Sequence, residues 1–187
     1  MIARACARAR LPVRHSEGFN PRPRISLPLP RPVGIASDAE RMLIDFSEPI
    51  AVETITARLS EQMPTGIHIR SGRILDPGDS CQPKLVRYRI TAEGVDRKLM
   101  ECNAARMLRP EPLHYRRFVH KDSRHVRIDL RPYIESIDVS DGYVDVTLIV
   151  TAGGSAKPAE ICDELGIGSR DVNHLIQRLE IVWQDSL

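Results

Sequence analysis

Apolar positions three and four residues apart open the chain: Ile2, Ala5, Cys6 and Ala9, with Arg4, Arg8 and Arg10 between them. That spacing predicts an amphipathic helix over residues 2–10, ended by Pro12. Residues 25–29 and 41–46 carry short apolar runs that predict strands, the first limited by Pro28. Val52, Ile55, Leu59 and Met63 return to helical spacing and predict a helix over 52–63, closed by Pro64-Thr65-Gly66. The spacing of Ile67, Ile69 and Ile74 predicts a strand over 67–75. Asp76-Pro77-Gly78-Asp79-Ser80 is the expected boundary, dividing the chain into halves 1–78 and 79–187. Beyond it, residues 85–91 alternate cleanly as a strand and 96–108 form a helix. Two hairpins are predicted, 113–119 with 125–130 and 133–139 with 143–151, the second turned at Ser140-Asp141-Gly142. A helix over 157–165 with Gly166 as its C-cap, a last helix over 172–179 and a final strand at 181–183 complete the reading. Helices and strands alternate without a repeating βαβ period, so the class is α+β.

Composition narrows this picture without redirecting it. With 42% hydrophobic and 28% charged residues the 187-residue chain has the make-up of a globular protein. No apolar run approaches the roughly 20 residues of a membrane span, and MIARACARAR has no apolar core of a secretory signal. Cys6, Cys81, Cys102 and Cys162 are far apart with no C-x-x-C pair, which argues against a zinc or iron–sulfur site and against a disulfide scaffold. Free thiols in a reducing cytoplasm are the expectation, with no cofactor and no metal. The net charge of +2 is unevenly spread. Residues 1–31 hold seven arginines against Glu17, a net of +6 that leaves −4 for the remainder. Such an asymmetry describes a directed electrostatic face, short of the overall basicity of a dedicated nucleic-acid binder.

That charge converges on LPVRHSEGFNPRPRISLPLPRP, residues 11–32. Gly18 takes positive φ readily and Asn20 tolerates it, while Pro21 and Pro23 hold an extended path. The loop therefore displays Arg14, Arg22, Arg24 and Arg31 with little conformational entropy left to lose on binding. Gly18, Phe19, Asn20 and Pro21 shape it. A proline-rich connection with solvated arginines is the plainer account of the same residues. His15 and Ser16 are a base and a nucleophile by residue type. Adjacent side chains seldom face each other, however, and no acidic orienter is placed nearby, so Ser16 is expected to cap the turn and His15 to lie at the surface.

The same residues carry a family resemblance. Arg8-Ala9-Arg10-Leu11-Pro12, then His15-Ser16-Glu17-Gly18-Phe19-Asn20-Pro21-Arg22-Pro23, then Gly34-Ile35-Ala36-Ser37-Asp38-Ala39-Glu40 resemble the signature of the radical SAM-linked protein family: R-A-x-L-P, Y-S-x-G-F-N-P-H-P and G-x-x-S-x-A-E. Gly153-Gly154-Ser155-Ala156-Lys157-Pro158-Ala159-Glu160 resembles its second shared segment. His15 and Arg22 stand where that family usually has Tyr and His. Members carry a strand and an S-H-L-D-type segment before the first helix, and this chain begins at that helix. Restoring the strand gives β-α-β-β-α-β, so the resemblance leads to two tandem ferredoxin-like (split β-α-β) halves, the first lacking its opening strand. An exposed sheet edge would follow, and with it a homo-oligomer or a heteromeric partner. Relatives occur beside or fused to radical SAM enzymes, which implies such an enzyme as partner. The cysteine trio of those enzymes is absent here, so the chain resembles their companion domain.

The residues offer weaker chemistry elsewhere. Residues 153–158 lead from a strand into a helix without the G-K-[ST] ending of a P-loop, so Ser155 and Pro158 read as capping residues and Lys157 as an anion contact. His114, His120 and His125 share a predicted hairpin and would bind a metal only if its register brought them to one face. Leu113-His114-Tyr115-Arg116-Arg117-Phe118 interleaves basic and aromatic side chains, as an RNA-stacking strand does. An ordinary two-faced strand has the same pattern and is the expectation. The functional expectation is a non-catalytic accessory or substrate-recognition domain acting with a radical SAM enzyme on RNA or a ribosome-related substrate. The alternatives are an RNA-modifying enzyme of pseudouridine-synthase-like architecture, with Asp38 or Asp45 nearest the loop, and a protein–protein adaptor.

Overall fold

The computed structural model describes residues 1–76, 79, 81–119, 122–168 and 172–184. They form two compact units, each with its own core. The described part of the first lies within Met1–Pro28 and Arg41–Ser80, that of the second within Leu29–Glu40 and Cys81–Gln184. The predicted boundary at residue 78 falls outside the described residues. Among the described residues no helix is long and apolar enough to cross a membrane.

In the first unit α1 (Ile2–Arg8) buries Ala5 and Cys6 against α2 (Val52–Gln62), which contributes Leu59. Arg8 joins the two helices: its Nε donates to Gln62 Oε1 (3.1 Å) and its Nη2 to the Gln62 carbonyl (2.7 Å), an otherwise unpaired C-terminal acceptor. The strands β1 (Ile25–Ser26) and β3 (Leu43–Ile44) pair antiparallel, Ile25 opposite Ile44. The strand expected over residues 67–75 is absent among the described residues. Ile69 does pack on this core, but the backbone lies along α2, so close that a side chain on Gly72 would meet Val52 and Thr56 at 3.1 Å. Ile69 is partly buried there while Ile74 is exposed, so the apolar spacing follows neither strand pairing nor one buried face.

The second unit has a five-stranded sheet in the order β2-β9-β4-β8-β7, from β2 (Ala36–Ser37), β4 (Pro83–Thr91), β7 (Ile134–Ser140), β8 (Tyr143–Ile149) and β9 (Ile176–Trp183). All its pairs are antiparallel except β2 with β9. From β4 onward the chain runs strand, α3 (Arg97–Met107), strand, strand, α4 (Pro158–Leu165), strand. Each helix thus connects two strands that have a third between them, the split β-α-β connection. A two-stranded hairpin, β5 (His114–Val119) with β6 (Arg124–Asp129), is inserted between α3 and β7. The expected α+β class holds. The tandem of two ferredoxin-like halves is not seen, since the first unit's paired strands, β1 and β3, are two residues each.

Val86, Tyr88, Ile90, Val144, Val146 and Leu148 of the central strands face α3 and α4 and bury almost completely. Asp96 caps α3 by accepting from Lys98 N–H (2.9 Å). Gly166 closes α4 in the left-handed region at φ +83°, as its position predicts. Residues 172–179 are not the predicted helix. A short 3-10 turn at Asn173–Leu175 leads directly into β9. Their apolar residues fit either period, and the open edge of β4 supplies backbone partners that a helix would not use.

Arg178 of β9 is 1% exposed. Its Nη1 donates to Leu29 O (2.9 Å) and Glu40 Oε1 (2.8 Å), and its Nη2 to the Tyr88 hydroxyl (3.3 Å). Its Nε meets no acceptor among the described residues. Gly34, at φ +93°, lets the same segment approach Asn173, where a side chain would meet Asn173 Cβ at 3.0 Å. Asn173 Nδ2 in turn donates to Val33 O (3.0 Å). Replacing Glu40 by Ala leaves the Arg178 cation buried without its carboxylate. The expected cost in urea unfolding is about 2–3 kcal/mol, below the range for fully enclosed pairs because Glu40 keeps 34% of its side chain in water. A loss under about 0.5 kcal/mol, the scale of an exposed pair, would show that Glu40 does not compensate this charge.

Candidate functional site

Three peptide groups of the first unit donate to one another in a ring: Arg14 N–H to Asp45 O (2.8 Å), Asp45 N–H to Arg24 O (3.0 Å), and Arg24 N–H to Arg14 O (2.8 Å). Bridges Val13 to Phe46 and His15 to Pro23 continue the junction on either side. Ser47 adds an N–H and a hydroxyl bond to Pro12 O (2.8 and 3.1 Å). The arginine loop therefore leaves from and returns to a fixed base. Above it Ser16 N–H donates to Arg22 O (2.8 Å) and Arg22 N–H donates to Ser16 Oγ (3.0 Å). The Ser16 hydroxyl performs the turn-capping task expected of it. His15 Nδ1–H donates to Val13 O (3.0 Å), so neither residue is aligned as base or nucleophile toward the other.

Residues 17–21 form the tip. Gly18 sits at φ +117° with open space around it, and Phe19 is fully exposed. The Arg14, Arg22 and Arg24 side chains are all exposed. Among the described residues those of Arg14 and Arg22 meet no acceptor, and Arg24 Nη1 stands 3.8 Å from Asp45, with both side chains about half exposed. Pro23, Arg24, Ile25, Ser26, Leu43 and Asp45 line an open groove of about 230 Å³ beside the loop. The arrangement suits capture of an anion at the surface. A half-exposed Asp45 on an open groove lacks the enclosed setting that general acid–base catalysis uses.

Arg31 and Lys157 belong to the second unit, Arg31 held there through its side chain and Lys157 through its backbone, with an exposed side chain. Arg31 Nη1 donates to Ile35 O. Lys157 N–H donates to Glu160 Oε2 (2.9 Å), so that carboxylate fills the place at the start of α4 where an outside anion would sit. Glu160 is itself buried and held bidentately by Arg117 (2.6 and 2.7 Å), whose Nη2 also donates to Ser155 O (3.0 Å). Ser155 Oγ donates to Ile149 O (2.8 Å). The segment 153–160 is thus a structural junction. Asp38, the other aspartate weighed for catalysis, accepts from Gln177 Nε2 in the same unit.

The sheet adds a charged cluster that the sequence did not signal. Asp145 of β8 is 6% exposed and accepts from Arg87 Nη2, Arg89 Nε and Arg89 Nη2, each at 2.8 Å. The Arg89 guanidinium also stacks over Tyr143 at 4.2 Å. The two arginines hold the Asp145 carboxyl below its ordinary range, Arg89 foremost, against the opposing effect of burial. Strand alternation places Arg87 and Arg89 on one face, but their partner lies 56 residues or more along the chain. No described group of three His, Cys, Asp or Glu side chains gathers to hold a metal. Burial, foremost, and the neighbouring Asp163 push the Cys162 thiol up to about 12, which leaves it unreactive at neutral pH.

A family model described as "Uncharacterized protein conserved in bacteria (DUF2344)" matches residues 1–158. No curated protein matches the chain.

Gly18→Ala forces a Cβ into the positive-φ region without a steric clash, and is expected to cost about 1 kcal/mol in chemical denaturation. An unchanged midpoint would mean that the tip relaxes to another conformation. For Asp145 the folded pKa is lowered, so its contribution is present above the unfolded-chain value of about 3.9 and fades as pH falls through the folded value. Asp145→Asn should therefore cost about 1–2 kcal/mol at neutral pH, the low end for charge-assisted bonds because both arginines stay partly in water. The gap between variant and parent should narrow as pH falls below the unfolded-chain value and close once pH is below the folded value. A pH-independent gap would assign the loss to packing instead.

Proposed function

The chain belongs to this family of bacterial proteins, and from its own residues we propose that it is a non-catalytic recognition module whose arginine loop takes the phosphates of RNA or a ribosome-related substrate on behalf of a radical SAM enzyme. The observation that carries the RNA part is the display of Arg14, Arg22 and Arg24 around a pinned loop, with the first two side chains unpaired among the described residues. Holding exposed arginines on a rigid base costs little entropy at binding, and phosphate attraction rewards their charge. Fully exposed Phe19 at the tip adds a surface on which a base can stack. The radical SAM partner rests on the resemblance of residues 8–40 and 153–160 to the radical SAM-linked proteins. A catalytic reading built on Asp45 gains no support from its open, half-exposed position.

Filter binding of total cellular RNA across a salt series tests the reading. The parent chain should bind at low salt, with log affinity falling linearly in log salt. Arg22→Ala/Arg24→Ala should weaken binding about tenfold and reduce the slope by about 1–2. No RNA binding at low salt, together with capture of an acidic protein that the double variant loses, would replace RNA by a protein partner. Gel filtration with the radical SAM enzyme of the same cell checks the second part, and separate elution at micromolar concentration would count against it.

A further inference from the structure

The inserted hairpin has two unlike faces. On the inner one Arg117 grips Glu160, and the Tyr115 hydroxyl donates to Asp163 Oδ2 (2.5 Å), so α4 holds the hairpin in place. Strand alternation turns the intervening residues outward as three cross-strand rungs: His114 opposite Asp129, Arg116 opposite Arg127, and Phe118 opposite His125. Two arginines directly opposite each other repel, and sheets ordinarily avoid such pairs. No acid among the described residues neutralises them. Asp129, the acid of this face, is turned to backbone, accepting from Leu113 N–H (2.8 Å) and Arg131 N–H (3.0 Å). Beside the arginine rung the Phe118 and His125 rings tilt against each other with centroids 5.1 Å apart, and Phe118 is 40% exposed.

We propose that this outer face, made of Arg116, Arg127, Phe118 and His125, is a binding surface for single-stranded RNA. The Arg116–Arg127 rung would straddle one phosphate, whose negative charge offsets the repulsion between them. The Phe118–His125 rung lies about 7 Å along the strands, within reach of the base attached to that phosphate. Stacking on an aromatic side chain needs no particular base, so the surface reads backbone and base plane but not sequence. An acidic protein segment would satisfy the arginines and leave the exposed rings without a role. The inference rests on the preceding reading for the class of ligand only, since its residues lie in the other unit.

Fluorescence anisotropy of a labelled oligo-uridine tests it on the full chain, with three variants beside the parent: Arg116→Gln/Arg127→Gln, Phe118→Leu, and Arg22→Ala/Arg24→Ala. The hairpin double variant should weaken binding about tenfold and lower the salt slope by about 0.7, the value for one single-strand phosphate contact. Its melting temperature should be equal to or higher than the parent's, because removal of the repulsion relieves the fold. Phe118→Leu keeps an apolar side chain but loses the ring. It should weaken oligo-uridine binding severalfold and leave binding of heparin, an anion without bases, unchanged. If the hairpin variants bind as the parent does while Arg22→Ala/Arg24→Ala fails, the hairpin surface is overturned and the loop reading stands. Loss in the hairpin variants alone supports the surface and overturns the loop. A parent that binds no oligo-uridine, or that binds poly-glutamate as tightly with no effect of Phe118→Leu, overturns the surface.

Discussion

The burial of a single guanidinium determines how the second unit is put together. Arg178 sits in the sheet with almost no contact with water, and a cation there is tolerable only with acceptors on several sides. They come from three places in the chain: the Leu29 carbonyl, the Glu40 carboxylate and the Tyr88 hydroxyl. Satisfying one side chain thus brings the segment 29–40 to a sheet made otherwise of residues beyond 82. β2 lies parallel to β9 at that edge, Ala36 opposite Gln177 and Ser37 opposite Arg178. Residues 34–40, which the resemblance marks as a motif, act here as structure. Gly34 permits the close approach to Asn173, Ile35 is buried, the Ser37 hydroxyl accepts from Ala39 N–H (3.3 Å), and Glu40 neutralises Arg178.

Glu160 with Arg117 solves the same problem in the hairpin. A buried carboxylate takes the N-cap amide of its own helix and a bidentate arginine from a strand, and so fastens an inserted element to the sheet domain. Both devices are compensated charges, and both use arginines whose planar donors reach several acceptors at once. Four further arginines of the unit show two different environments. Arg87 and Arg89 are occupied by Asp145, whereas Arg116 and Arg127 face each other in water.

The first unit treats its cations in the opposite way. Its ring of peptide bonds among Arg14, Arg24 and Asp45 immobilises the backbone and leaves the guanidinium groups outside. Arginines that complete a core thus coexist with arginines presented to water on fixed backbones, among them Arg24 at 3.8 Å from Asp45. The second kind is concentrated on the arginine loop and on the outer face of the hairpin. Counting charge along the chain separates neither group from the other.

Local pattern was enough for the elements whose residues meet one another within a few turns. The helices at 2–8, 52–62, 97–107 and 158–165, the hairpins and the Gly166 cap were legible because spacing and turn chemistry act at short range. So was part of the arginine loop's path, since Pro21 and Pro23 fix φ wherever they stand and Gly18 supplies the positive φ of the tip. The strand predicted at 181–183 is present, and tertiary structure alone decided that it begins as early as Ile176, because the open side of β4 was available to pair with it. It likewise turned 67–75 into an extended segment on α2, and Glu40, Glu160 and Asp145 into partners of distant arginines. The three charged pairings join groups about 40 to 140 residues apart in sequence. Periodicity reports which side of an element is buried, and cannot report what it is buried against.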